Sequence, residues 1–162
     1  MKKLAIAVLL SVFFVTSAFA AASKGNVGAN FSSDNVFGIQ GELDISSMTN
    51  NAPLSAQLFW KNYSQDLGPN NTWDTSAIGA AAIYDFSSIA KLDKKIRPYA
   101  GVGLMTVFHN WNGAGAPVRY TGVVGGLYVT FGLRYFLAPQ IDADFNYNNF
   151  GDLTAGVNFN FK

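Results

Sequence analysis

Ile141-Asp142-Ala143-Asp144-Phe145-Asn146-Tyr147-Asn148 alternates without a break. Ile141, Ala143, Phe145 and Tyr147 share one parity; Asp142, Asp144, Asn146 and Asn148 share the other. Successive side chains of a strand point to opposite faces, so this stretch predicts a strand with one apolar and one polar face. Asp and Asn are poor strand formers. Their regular placement needs a polar space behind the sheet, which the inside of a transmembrane barrel supplies.

The pattern spreads in both directions. After a turn at Gly151-Asp152, Leu153, Ala155, Val157, Phe159 and Phe161 alternate with Thr154, Gly156, Asn158 and Asn160. Upstream of a tight turn at Ala138-Pro139, Leu127, Val129, Phe131, Leu133 and Tyr135 alternate with Gly126, Tyr128, Thr130, Gly132 and Arg134. Turn and breaker clusters divide the rest into further strands near 24–31, 36–46, 54–64, 73–86 and 96–108, with the sixth over 119–136. Residues 36–46 alternate cleanly: Phe37, Ile39, Leu43 and Ile45 against Gln40, Glu42 and Asp44. Phe59 blurs the third strand, and the inward parity of the fourth (Ala77, Gly79, Ala81, Ile83) is only weakly polar. The sum is eight strands, an even number of about the length a membrane barrel uses.

The first twenty residues read as a secretory signal. Lys2 and Lys3 precede the apolar stretch Leu4 to Val15, and Ala18-Phe19-Ala20 offers a small-x-small cleavage site. The expected division is a signal peptide over 1–20 and one barrel domain over 21–162. Eleven basic and ten acidic residues become nine and ten once Lys2 and Lys3 are removed, a net charge of −1. That balance leaves no basic stripe for nucleic acid. With no cysteine in the chain, disulfides and thiolate metal sites are excluded. After residue 20 no apolar run is long enough for a transmembrane helix.

A soluble sandwich or a lipocalin-like barrel is the competing architecture, and it would put Leu127, Val129 and Phe131 inside. Three features favour the all-β, eight-stranded antiparallel transmembrane barrel: the sustained outward apolar face, the absence of disulfides, and aromatics near strand ends. Those aromatics are Trp60, Trp73, Tyr84, Phe86, Trp111, Tyr120, Tyr135, Tyr147, Phe159 and Phe161, read as two interfacial girdles.

Residues 97–104 (RPYAGVGL), 132–136 (GLRYF) and 153–161 (LTAGVNFNF) resemble the small outer-membrane barrel family that includes OmpA-like, OmpX-like and opacity-type surface proteins. The resemblance implies a Gram-negative outer-membrane location. It also implies outer-membrane lipid and lipopolysaccharide as surroundings, and the barrel assembly machinery as a partner during insertion. The family's usual terminal aromatic is Phe161 here, followed by Lys162.

Glu42, Asp44, Lys61, Asp85, Arg97, Arg134, Asp142 and Asp144 all fall on the inward parity. Ionisable groups in a narrow lumen must pair or shift. Arg97 and Arg134 are the expected hubs, since a guanidinium can hold two carboxylates in fixed geometry. Asp142 and Asp144 are the expected partners of Arg134. With both termini periplasmic, residues 32–35, 65–72, 109–118 and 150–152 become external loops, and 47–53, 87–95 and 137–139 become periplasmic turns. His109, the single histidine, is expected in the 109–118 loop. Lipid A deacylases, also small outer-membrane barrels, carry a Ser two residues after the His; Trp111 stands there instead, so no enzyme is expected. No cofactor is implied. The expected role is structural or envelope-related and the expected state a monomer. A narrow or gated channel is one alternative. A surface protein binding an unknown ligand through its external loops is the other.

Overall fold

The structure, a computed structural model, describes residues 24–32, 35–68, 71–112, 122–150 and 152–161. The expected signal segment, residues 1–20, lies outside the described residues, as do the strand start at 119–121 and most of the 109–118 loop. Eight strands follow in chain order: β1 (Gly25–Ser32), β2 (Val36–Asp44), β3 (Leu54–Gly68), β4 (Asn71–Asp85), β5 (Ile96–Asn112), β6 (Gly122–Ala138), β7 (Ile141–Asn148) and β8 (Asp152–Phe161). Each pairs antiparallel with its chain neighbours, and β1 closes on β8 from Gly25↔Phe161 to Ser32↔Thr154. Closure pairs the backbone all the way round and leaves no sheet edge within the cylinder.

At the end that carries Gly25 and Phe161, the connections are compact. A single 3-10 turn, Ser46–Met48, follows β2, and a four-residue helix α1 (Ser87–Ala90) follows β4. Asp44 Oδ1 accepts the Ser46 N–H at 2.8 Å, Asp85 Oδ1 the Ser87 N–H at 2.7 Å, and Asp93 Oδ1 the Lys95 N–H at 2.9 Å. These are local side-chain turns of the kind Asp favours. Asn50 and Asn51 take the left-handed backbone with φ of 53° and 63°, which Asn tolerates better than most residues.

The other end is uneven. β3 to β6 hold 15, 15, 17 and 17 residues, against 8 to 10 in β7, β8, β1 and β2. Pairing of β2 with β3 stops at Val36↔Tyr63 and that of β6 with β7 at Thr130↔Asn148. Beyond those points the four long strands continue as a sheet to Gly68↔Asn71 and His109↔Gly122. His109 is therefore a strand residue of β5 and not part of a loop. Asn149 covers the step on β6: its side-chain amide donates to Leu127 O at 2.7 Å and accepts from Val129 N at 2.9 Å. An otherwise bare strand edge is satisfied there.

The faces follow the parity read from sequence. Leu58, Ile78, Val102, Leu104, Leu127, Phe131, Phe145, Leu153 and Val157 point outward and are exposed. Aromatic pairs flank this belt: Phe31–Phe37 at 5.1 Å and Phe131–Tyr147 at 5.2 Å toward the tall end, Tyr84–Phe86 at 4.8 Å toward the turns. Trp73 does not join a girdle. It lies on the inward parity, donates from Nε1 to Thr75 Oγ1 at 2.9 Å and stacks near His109 at 5.7 Å.

Candidate functional site

Inside the cylinder two chemistries meet. β3 to β6 contribute Phe59, Ala81, Ile83, Tyr99 and Tyr128, a buried apolar cluster in which the Phe59 and Tyr128 rings lie 4.1 Å apart. The large rings fit because glycines face them. A Cβ at Gly79 would collide with Phe59, and one at Gly101 with Ile83.

β7, β8, β1 and β2 contribute amides and carboxylates. Gln40 is the junction. Its Nε2 donates to Asp144 Oδ2 and to Asn158 Oδ1, both at 3.1 Å, while its Oε1 accepts from Asn30 at 3.2 Å and Gln57 at 3.3 Å. Asp142 accepts from Asn158 at 2.8 Å and Asn160 at 2.7 Å. Asn146 Oδ1 accepts from Thr154 at 2.8 Å and Asn148 at 3.1 Å. Amides that both donate and accept can continue such a network across strands and satisfy buried carboxylates without a cation.

The eight residues singled out from sequence separate by depth. Glu42 and Arg134 form a bidentate pair across the lumen, 3.0 Å for Nη1–Oε1 and 2.5 Å for Nη2–Oε2. The Arg134 guanidinium also lies 4.4 Å from the Tyr99 ring centre. Asp144 is its register neighbour on β7, yet Arg134 turns to Glu42. Asp144 is held by Gln40 and by the Tyr99 hydroxyl at 2.8 Å, and Asp142 by the two asparagines. Arg97 is no hub. Its side chain is 50% exposed against 11% for Arg134, its nearest approach to Asp85 is 4.0 Å, and it lies 4.6 Å over the Phe136 ring. The two arginines are cross-strand partners; like charges placed side by side repel, so one takes the carboxylate and the other turns to the mouth. Asp44 and Asp85 serve their turns. Lys61 is 1% exposed, with no hydrogen-bond acceptor among the described residues. Its ammonium sits 5.4 Å from the Tyr128 ring centre and 5.9 Å from that of Phe59.

Sequence reasoning placed Gln40 and Tyr128 inward but gave them, and Tyr99, no part in the interior. Their parity was the available signal, and their roles depend on partners far off in the chain. Thr75 and His109, bonded at 3.0 Å through Oγ1 and Nδ1, join only because β4 and β5 are in register there.

A closed eight-stranded antiparallel cylinder with a filled interior and an apolar exterior is the fold of the small eight-stranded outer-membrane barrels. No protein-family model matches the chain, and no curated protein matches its sequence. Among solved structures it is similar to Neisserial surface protein A (NspA), with a TM-score of 0.60 and 23% identity over 86% of this chain and 94% of that one. It is also similar to the N-terminal β-barrel domain of Pseudomonas aeruginosa OprF, with a TM-score of 0.52 and 16% identity over 85% and 96%. A major outer membrane protein from Thermus thermophilus gives a TM-score of 0.52 and 14% identity over 86% and 100%.

Proposed function

We propose that the chain is an integral outer-membrane protein of a Gram-negative bacterium with a structural or envelope-related role. The observation that carries this reading is the pairing of a closed backbone cylinder with a continuous outward apolar belt. In water such a belt would be a large exposed apolar patch; in a bilayer it faces its own solvent. The segment 1–20 supplies export, and the compact-turn end faces the periplasm. Outer-membrane lipid and lipopolysaccharide surround the belt, the barrel assembly machinery inserts it, and the barrel works as a monomer.

The filled lumen supports a structural role over conduction, because the Glu42–Arg134 pair and the Phe59–Tyr128 stack both occupy it. Heat-modifiable migration of the protein from fractionated outer membranes tests the reading. The expected result is a faster-running unboiled band confined to the outer-membrane fraction. A soluble periplasmic protein without that shift would overturn it.

A further inference from the structure

Behind the compact-turn mouth lies a vestibule of about 880 Å³. Lys24, Lys94, Lys95, Arg97 and Arg134 line it, against Glu42, Asp44 and Asp85, an excess of two positive charges among the described residues. One of the three carboxylates is fully engaged, and Asp85 keeps Oδ2 turned toward Arg97 at 4.0 Å. Glu42 gives both oxygens to Arg134, while Asp44 and Asp85 each accept a backbone N–H. Lys24, Lys94 and Lys95 make no ion pair within 4.0 Å among the described residues.

Arg97 is the feature that turns surplus charge into a site. Its guanidinium carbon lies 4.6 Å from the centre of the Phe136 ring, a cation–π contact, and its nearest carboxylate among the described residues lies at 4.0 Å, beyond hydrogen-bond reach. A flat fork with unused donors suits a planar or tetrahedral anion held through two oxygens. Deeper in, Arg134 Nε is buried and has no acceptor among the described residues. The Glu42–Arg134 pair closes the floor, so a ligand enters and leaves by one mouth.

We propose that this vestibule is a binding site for a carboxylate or phosphate group, with Arg97 as the bidentate donor and Lys94 and Lys95 as flanking charges. With the compact turns on the periplasmic side, as proposed for the membrane-inserted barrel, it opens to the periplasm. Being open to water, the site is weakened by salt.

The test is an NMR titration of the folded protein in uncharged maltoside micelles at constant ionic strength. Inorganic phosphate, acetate, and phosphatidylglycerol doped into the micelles are added separately, and the amides of Arg97, Lys94 and Lys95 are followed. Saturable shifts are expected. R97Q should weaken them about tenfold, the loss of roughly one charge-assisted contact. K91Q, outside the vestibule, should leave them unchanged. Saturation by phosphate or acetate identifies a soluble anion; saturation by the lipid alone identifies a headgroup; either upholds the site. Shifts that never saturate, or an R97Q protein that titrates like the parent, overturn it. Where R97Q does not fold, the double variant K94Q/K95Q, altered only in an exposed turn, decides the matter by the same two outcomes.

Discussion

The two halves of the barrel fill the same lumen by opposite means. Across β3 to β6 the interior is mainly rings, methyls and facing glycines, with Gln57, Lys61, Thr75 and Thr130 buried among them; across β7, β8, β1 and β2 it is Asn, Gln, Thr and Asp joined by hydrogen bonds. The apolar half depends on close packing, and the polar half on the continuity of its network. Arg134 of β6 and Glu42 of β2 bridge the two. The difference teaches that a transmembrane barrel requires an apolar outside and a full inside, not a particular inside.

The bridge is the place to break the comparison. Arg134→Ala leaves Glu42 buried without its cation, and losing one partner of a buried pair costs about 3–5 kcal/mol. Urea titration in lipid vesicles should show the largest fall in midpoint of any change considered. A neutral result would mean that the halves are not tied there. Phe59→Ala tests the apolar half alone: removing a ring packed 4.1 Å from Tyr128 should cost about 3 kcal/mol, the low end for a large aromatic lost from a core. A cost near zero would show that water fills the space freely and that the half is not a packed core.

The outside should be indifferent to which half lies behind it. Leu133→Arg places a charge on the lipid face, at about 2–4 kcal/mol near the midplane. Thr130→Ala, on the inward face of the same strand, removes the bond to Tyr147 O at 3.2 Å, about 1 kcal/mol. The reverse ranking in the same assay would swap inside and outside.

The contrast between the halves also decides what the sequence could disclose. Around Asp142 and Asn158 each inward residue is polar and each outward one apolar, so period two is plain. In β4 both faces are small or apolar. The strand there was legible mainly from its flanks, and Phe59 looked like noise although it is the centre of the inner cluster. Parity was recoverable because it is local. Depth was not: Arg97 and Arg134 have the same parity and stand side by side across β5 and β6, and only the reach of Arg134 across the lumen to Glu42 separates the paired side chain from the one left at the mouth. The height of β3 to β6 was missed for a related reason. His109, Asn110, Trp111 and Asn112 have loop-like composition, and pairing with β4 makes them strand.

That overshoot offers the finest test of the comparison, because glycines of the long strands occur both inside the cylinder and beyond it. A Cβ at Gly103 would stand 2.7 Å from the Ala81 Cβ and would press on the Ala80 carbonyl, which cannot yield without disturbing the β4–β5 pairing. Gly103→Ala should therefore destabilise by about 1–3 kcal/mol, the usual range for overpacking. Gly125 lies on β6 beyond the last β7 pair, and a Cβ there meets no atom within 4 Å. With no contact to oppose it, the smaller backbone entropy of alanine decides the sign, and Gly125→Ala should stabilise by about 0.5 kcal/mol. Both variants belong in one urea series. If Gly125→Ala were as costly as Gly103→Ala, the tall sheet would be packed against something on that face, and the long half would be no freer above the rim than within it.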